Sequence, residues 1–484
     1  MNTIYAELIG HDIAAPFSYP LAEAKTPYHF LTERHLQAMW LEQKYFKQLI
    51  SNEGLPIQVL SPGIWNSEAG PDFLKAHIVI GSQEYRGDIE LHLFEDSWYH
   101  HQHHLDHRYN QVVLHLSFWK PQKERDLLTD DGKLIKKTHL QHHLTISEQR
   151  ILKLIDLDLY PYKHFAGSGH CARALFNKLP INQTLEFFRS AAGWRLSQKF
   201  LHLQAKIDTP SDYMGAGIAL ALGYKHNADA FLKLYFDLKS LQINDSSQLL
   251  AFALGQCGFF EESHFRKWSS SPFYLSLKKE FELLQKKAIN YSPISLRLDK
   301  IRPANHPIRR LAVLSKIILD ENICDLDARL KIQWQHHWQS GCQQGWKSMK
   351  EQLLALLPDY KDEYWNHHFS FEKEQEKSTQ LMGDTLKHEI LINICLPLLY
   401  ANLEKSHDQL SAFQNFYASL PAPKTKKATY LSHRFFGNST KQHLLNKADI
   451  QQGAYQLHHD FCIHYEASCQ GCPFVERYKN VHLI

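Results

Sequence analysis

The 484-residue chain lacks the features of exported and membrane-embedded proteins. Its first residues, MNTIYAELIGHD, contain no basic segment followed by an apolar run, so we expect no signal peptide. The apolar stretch over residues 391–399 is interrupted by Asn393 and Pro397 and is far shorter than a bilayer-spanning helix. We therefore predict a cytoplasmic protein without a membrane segment.

A strong charge of either sign is also missing, because 54 Lys and Arg residues stand against 51 Asp and Glu residues, with a net charge of +3. This balance neither requires nor excludes a nucleic-acid partner, since a basic groove can lie on a nearly neutral protein. The chain contains no Walker loop, no G-x-G-x-x-G dinucleotide motif and no G-x-S-x-G nucleophile elbow. Nucleotide hydrolysis, hydride transfer and serine-esterase chemistry are therefore disfavoured.

Hydrophobic residues make up 44% of the chain, which predicts well-packed cores. A helix and strands are expected in the first third of the sequence, and amphipathic helices follow from Leu179 onward. The expected elements are a helix over residues 32–50 and strands over 57–60, 73–80, 88–94 and 112–118. The Pro- and Lys-rich residues 420–430 predict a linker or an exposed loop. We predict an α+β protein with three parts: an α/β domain over residues 1–150, a mainly α-helical domain over 151–445, and a C-terminal helix and cysteine cluster over 446–484.

The densest group of polar functional residues lies in the run GPDFLKAHIVIGSQEYRGDIELHLFEDSWYHHQHHLDHRYNQVVLHL. Asp88, Glu90 and His92 alternate along a predicted strand, so their side chains share one face. Asp72 begins the preceding strand, and a short turn carries it alongside Glu90. Two carboxylates suit a hard divalent cation. The sequence therefore predicts that Asp72 and Glu90 bind a divalent cation.

The same residues permit a purely structural interpretation. Asp72 then caps backbone N–H groups in a turn that follows Gly70. Glu90 and His92 would pair with each other on a solvated strand face. Under this interpretation the run carries no chemistry.

The seven histidines from His92 to His115 permit a third interpretation. His101, His103 and Asp106, together with His115 on the next strand, have the ligand chemistry of a Zn²⁺ site. However, the run lacks the apolar helical pattern on which a pair of histidines four residues apart would lie, as in H-E-x-x-H. His115 lies among aliphatic residues and also fits a hydrogen-bonded structural histidine. The run could equally line the same cleft as Glu90 and contact a phosphate or a base.

The eight cysteines are unevenly distributed, and Cys462, Cys469 and Cys472 lie within eleven residues near the C-terminus. In a chain without an export signal this pattern favours metal ligands over disulfides. The spacing Cys469-x2-Cys472 suits Zn²⁺ or an iron–sulfur cluster, and Cys462 is within reach. A fourth ligand is not obvious locally, and His459 or His464 would favour zinc.

Several distinctive segments are spread along the chain: GIWNSEAGPDF (residues 63–73), GDIELH (87–92), W-Y-x-H-x-H-x-x-D-x-x-Y-N-x-V-x-L-H (98–115), R-P-x-N-x-P-x-x-R-L-A (302–312) and the final C-x6-C-x2-C. Together they resemble a bacterial family named domain of unknown function 2851. The family name implies no activity. The resemblance implies that Cys171, which matches a family cysteine position, is the fourth ligand of the cysteine cluster.

The order of a helix, Pro-Asp, a hairpin and Glu-x-basic is similar to the core of the PD-(D/E)XK, or restriction-endonuclease-like, nucleases. This resemblance implies that Asp72 and Glu90 hold Mg²⁺, that His92 assists the attacking water, and that Glu33 or Glu42 adds another acid. His92 stands where that pattern has Lys. One upstream and three downstream cysteines are also similar to the iron–sulfur staple of some of these nucleases.

We therefore predict a Mg²⁺-dependent phosphodiesterase, or nuclease, that acts on nucleic acid and carries Zn²⁺ or an iron–sulfur cluster at its cysteines. The alternative is a non-catalytic nucleic-acid-binding or scaffold protein that keeps the fold and a structural metal. The two hypotheses differ in the arrangement of Asp72, Glu90 and His92. Catalysis requires that these side chains converge, whereas a binding module would leave them exposed or in ordinary caps.

Overall fold

The computed structural model describes residues 4–9, 31–66, 70–121, 125–155, 157, 160, 168–286, 291–298, 303–372, 374–403, 406–462, 469 and 472–481. These residues form two compact units. The first unit contains the described residues within 1–14, 27–193 and 421–484, and the second contains those within 194–420. Strands of the described chain lie before residue 140 and helices dominate the rest, which confirms the α+β class.

The strands of the first unit form one mixed sheet. They are β1 (Leu49–Ile50), β2 (Pro56–Ser61), β3 (Ile64–Trp65), β4 (Phe73–Ile80), β5 (Gln83–His92), β6 (Val112–Ser117) and β7 (Lys136–His139). Their order is β1-β2-β4-β5-β6-β7, and β3 pairs with β4. Pairing is antiparallel from β1 to β5 and parallel from β5 to β7. Ser51 also forms an antiparallel bridge with Thr138, so the two ends of the strand order meet.

The helices of the described chain alternate with turns. They are α1 (Ile4–Ile9), α2 (Glu33–Glu42), α3 (Ser97–His100), α4 (Glu148–Leu154), α5 (Ile181–Lys206), α6 (Tyr213–Leu222), α7 (Tyr224–Ser240), α8 (Ser246–Gln256), α9 (Glu262–Trp268), α10 (Pro272–Lys286), α11 (Pro307–Leu319), α12 (Glu321–Cys324), α13 (Leu326–Gln344), α14 (Lys347–Ala355), α15 (Asp384–Ile390), α16 (Leu396–Leu403), α17 (His407–Ser419), α18 (Lys426–Phe436), α19 (Ala448–Leu457) and α20 (Phe474–Val481). None of these helices is long and apolar enough to cross a bilayer.

Helix α2 is shorter than the predicted helix over residues 32–50. It ends at Glu42 because Gln43 adopts a left-handed conformation, with φ of 50°, and its N–H donates to Trp40. Trp40 is fully buried and packs in one core with Phe73 of β4 and Ile89 of β5. The helix therefore covers one face of the sheet and fixes the positions at which β4 begins and β5 ends.

The second unit is helical, and its helix α11 begins at a histidine cap. His306 accepts a hydrogen bond at Nδ1 from the N–H of Ile308, over 3.3 Å. Burial, followed by the charge of Lys267, lowers the pKa of His306 from 6.5 to about 4. The imidazole therefore caps the helix in its neutral form, because a protonated Nδ1 cannot accept a hydrogen bond.

We expect the His306→Asn variant to lose part of the acid sensitivity of the fold. The unfolded chain protonates His306 near pH 6.5 and the folded chain only near pH 4, so stability falls as the pH drops through this window. The slope from this one group is about 1.4 kcal/mol per pH unit. Asn caps a helix without titrating. Urea unfolding as a function of pH should show that the variant takes up one fewer proton on unfolding. An unchanged slope of the unfolding free energy against pH would contradict this assignment.

Candidate functional site

Parallel pairing of β5, β6 and β7 places polar side chains in two rows on one face of the sheet. The first row is Glu90, His115 and Lys137, and the second is His92, Ser117 and His139. Residues in register on neighbouring strands point to the same side. All six positions except His139 are buried, so the sheet carries a polar cluster that is largely enclosed.

Asp72 and Glu90 converge at the start of β4. The Asp72 N–H donates to Glu90 Oε2 over 3.0 Å. Asp72 Oδ1 accepts from Gln37 Nε2 over 2.6 Å, and Oδ2 accepts from the Leu91 N–H over 3.0 Å. The Asp72 carboxylate therefore links α2 to β5 and fixes the backbone beside Glu90. These bonds give Asp72 a structural function whether or not it binds a cation.

Glu90 lies at the centre of a group of imidazoles. Its Oε1 is 3.3 Å from His92 Nε2 and 3.4 Å from His103 Nε2. His92 Nδ1 lies 2.9 Å from His115 Nε2, so one ring donates and the other accepts. His92, His101 and His103 each offer a ligand atom within 4.8 Å of the other two. Of these, His101 is exposed, and His92 and His103 are buried.

The two distances from Glu90 Oε1 to the imidazoles can be compared with those between the ligands of one metal ion. Two ligand atoms of a tetrahedral ion lie about 3.4 Å apart when each bond is roughly 2.1 Å long. The two distances from Glu90 Oε1 to the imidazole nitrogens, 3.3 and 3.4 Å, have this value. A carboxylate and imidazoles suit transition metals better than they suit Mg²⁺, which prefers oxygen ligands.

The electrostatic environment keeps His92 and His115 neutral. Burial, followed by the neighbouring His115, His103 and His101, holds the pKa of His92 well below its usual value. Burial and His103 lower the pKa of His115 to about 3. Neutral imidazole is the form that ligates a metal. Burial and the charges of Glu90 and Asp72 raise the pKa of Tyr109, so its phenol, stacked on His103, stays protonated.

The other acids singled out in the sequence have hydrogen-bond or ion-pair partners of their own. Asp88 Oδ1 accepts from the Lys75 N–H over 3.0 Å, and Asp106 pairs with Arg108. Glu42 pairs with Lys44 at 2.7 Å. Glu33 Oε1 accepts from the N–H of Leu93, directly after β5, over 3.4 Å. Of the two acids proposed on α2, Glu33 is therefore the one whose carboxylate reaches the end of β5.

Lys137, Glu95 and His139 are site residues that the sequence analysis missed. The buried Lys137 Nζ lies 3.1 Å from Glu95 Oε1 and donates to the carbonyl of Arg125 over 2.6 Å. His139 Nδ1 lies 2.7 Å from Ser117 Oγ. The sequence KKTH of β7 has no apolar alternation, so no strand was predicted there. These residues place a cation and another imidazole on the face that carries Glu90.

The four predicted cysteine ligands line one cavity in the first unit. Cys171, Cys462, Cys469 and Cys472 are free thiols around a space of about 20 Å³. Of the alternative ligands, His459 Nδ1 lies 2.9 Å from Asp460 Oδ1. His464 lies outside the described residues.

Comparison with known protein families gives a match over most of the chain. A family described as "Protein of unknown function (DUF2851)" matches residues 33–426, which is most of the chain. No curated protein and no solved structure matches. The family description states no activity, so a function has to be derived from the site.

Proposed function

We propose that this chain, which belongs to the DUF2851 family of proteins of unknown function, is a metal-dependent phosphodiesterase acting on nucleic acid. The proposal rests on its site. The observation that carries this proposal is the placement of Glu90 Oε1 at 3.3 Å from His92 Nε2 and 3.4 Å from His103 Nε2. Both distances match the separation between two ligands of a tetrahedral ion. We assign Glu90, His92 and His103 as its ligands.

The order of elements supports phosphodiester chemistry. Helix α2 precedes Asp72 at the start of β4, and β5 carries Glu90-x-His92 on the neighbouring antiparallel strand. This order is similar to the restriction-endonuclease-like core of PD-(D/E)XK nucleases. His92 in place of Lys then changes how the metal ion is bound, because an imidazole adds a ligand where a lysine would add a charge. We therefore favour Mn²⁺ or Zn²⁺ over Mg²⁺ as the working ion.

Each residue has a distinct task in this proposal. A bound divalent ion would polarise the phosphate and lower the pKa of a water molecule. Asp72 holds the backbone beside Glu90, and His115 orients His92 through their 2.9 Å hydrogen bond. His101 is the exposed imidazole of the group, so we assign it to accept the proton of the attacking water.

Metal-dependent cleavage by the purified chain tests this proposal. Protein stripped with a chelator would be supplied with Mg²⁺, Mn²⁺ or Zn²⁺ and with single- and double-stranded DNA and RNA. We expect cleavage that is faster with Mn²⁺ or Zn²⁺ than with Mg²⁺. His103→Gln should abolish it, whereas His100→Ala, in the same histidine run but exposed, should retain it. Absence of cleavage with every ion and substrate, or equal activity in both variants, would refute the proposal.

A non-catalytic nucleic-acid-binding or scaffold function is the second candidate. The observation that favours it is the use of both Asp72 oxygens as acceptors, from Gln37 Nε2 and the Leu91 N–H. Nucleic-acid binding that persists in His103→Gln, without cleavage in the unmodified protein, would support this candidate.

A further inference from the structure

The second group of metal-ligating side chains lies around the cysteine cavity. Apart from Cys171, Cys462, Cys469, Cys472 and His170, its walls are apolar. The apolar lining consists of Phe435, Leu457, Phe461, Phe474 and Val475. Four thiols that line one small space, with His170 as its other polar residue, form a donor set typical of soft metal centres.

The fold brings these cysteines from distant parts of the sequence. Cys171 precedes a π-helical turn over Ala172–Phe176, and Cys462 ends another π-helical turn over His458–Cys462. The Cys472 N–H donates to the carbonyl of Cys469 over 3.3 Å, which forms the compact bite of a C-x2-C pair. Helix α20 begins two residues after Cys472. A shared ligand would therefore connect chain segments about 290 residues apart, where loop closure in the unfolded chain is costly.

Arg434 is a fully buried cation beside the thiols. Its Nη2 donates to Cys469 Sγ, and its carbonyl accepts from the Gly169 N–H over 2.8 Å. A side chain at position 169 would begin 3.0 Å from Arg434, so Gly169 permits the close approach of the segment that carries Cys171. A buried guanidinium remains charged and is stabilised by an anionic acceptor. A thiolate provides that anion, whereas a neutral thiol is only a weak acceptor.

Without a metal ion, burial opposes the ionisation of Cys462 and Cys171 despite the nearby Arg434. Burial, and then the neighbouring Cys469 and Cys472, raise the pKa of Cys462 to about 12, although Arg434 lowers it. Burial and the other thiols also raise the pKa of Cys171. A metal ion reverses this relation, because its charge stabilises several thiolates at once and the thiol protons are released on binding.

We propose that Cys171, Cys462, Cys469 and Cys472 bind one metal centre through four thiolates, and that Arg434 compensates its excess negative charge. The centre is a zinc ion or an iron–sulfur cluster, which share this ligand chemistry. It stabilises the first unit by joining its early and late segments. This proposal is independent of the one made for Glu90, since the two sites share no residue.

Metal analysis of protein purified without oxygen tests the cysteine site. We expect about one equivalent of colourless zinc, or brown protein containing iron and acid-labile sulfide. The double variant Cys469→Ser, Cys472→Ser should lose this metal. Its matched control is Cys324→Ser, Cys342→Ser, which removes two exposed thiols and should retain the metal. Metal content that is equal in the two double variants, or a metal-free protein that cannot be loaded, would overturn the proposal.

Thiol reactivity of the unmodified chain gives a second readout if the cysteine variants fail to fold. A thiol reagent should modify four fewer cysteines in the metal-loaded protein than in chelator-treated protein, since metal-bound thiolates react slowly. Loading the chelator-treated protein with Co²⁺ should also produce a thiolate-to-cobalt charge-transfer band. The imidazoles and carboxylate around Glu90 cannot produce this band. Equal thiol reactivity together with the absence of the band would overturn the site.

Discussion

The Glu90→Gln variant is expected to lose metal-dependent cleavage by at least about 100-fold, the effect of removing one group that stabilises charge in an active site. The amide keeps the size of the side chain and an oxygen that can accept from the Asp72 N–H. It removes the negative charge that lies 3.3 Å from His92 and 3.4 Å from His103. Steady-state kinetics should show the loss in kcat, with the fold intact by circular dichroism.

The matched control is Glu84→Gln on the same strand. Glu84 lies at the exposed start of β5, where it pairs with Arg86 at 2.9 Å. Its pairs are surface pairs, which contribute little to stability. We expect cleavage within about twofold of the unmodified protein. If Glu84→Gln and Glu90→Gln behaved alike, the carboxylate at position 90 would have no special function.

The Lys137→Met variant is expected to destabilise the first unit by about 3–5 kcal/mol, the cost of removing one partner of a buried ion pair. Lys137 and Glu95 are both buried, and their charged atoms lie 3.1 Å apart. Burial raises the pKa of Glu95, and Lys137 opposes this rise, so the carboxylate depends on the lysine for its charge. Urea unfolding would measure the loss.

Lys136 provides the control for this pair on the neighbouring residue. It lies 2.6 Å from Glu53, and both side chains are partly exposed. Lys136→Met should therefore cost less than about 1 kcal/mol. Adding Glu95→Leu to Lys137→Met should restore part of the stability, because no charge is then left buried alone. Similar losses in the two lysine variants would show that the Lys137–Glu95 pair is not the cause.

The sequence predicted the structure best where a strand follows from the apolar pattern of its own residues. The strand predicted over residues 73–80 has those bounds in β4, and the strand predicted over 112–118 ends one residue earlier, in β6. Both segments are rich in aliphatic residues that pack in the core of the first unit. Asp131-Gly132, a pair typical of hairpin turns, likewise lies in a turn that Leu128 and Leu134 bridge.

Elements that depend on tertiary contacts were predicted less well. The prediction of a linker or loop over residues 420–430 was wrong in its second half, because α18 begins at Lys426. Thr425 caps this helix by accepting from the Ala428 N–H over 3.0 Å. The lysines concealed a helix whose buried face includes Tyr430 and Arg434. Strand β7 was missed because its neighbours in the sheet, and not its own composition, make it a strand.

The candidate site shows the same limit of local reasoning. From the sequence, the histidine run could form a metal site of its own or line the same cleft as Glu90, and residue spacing did not decide between the two. In the structure Glu90 contacts His92 and His103, so Glu90 and these two histidines form one cluster. The segment between the parallel strands β5 and β6 returns over the end of β5 and brings His101 and His103 there. Such a return depends on the strand order, which residue spacing alone does not reveal.

The most direct test of the central claim is an anomalous difference map from crystals of Mn²⁺-loaded protein. The map should show one strong peak about 2.1 Å from Glu90 Oε1, His92 Nε2 and His103 Nε2. Mn²⁺ suits this test because thiolates are poor ligands for it, so any anomalous peak in the cysteine cavity should be weak in the same map. Maps without a peak between Glu90 and the two imidazoles, at saturating Mn²⁺ and again at saturating Zn²⁺, would contradict the account.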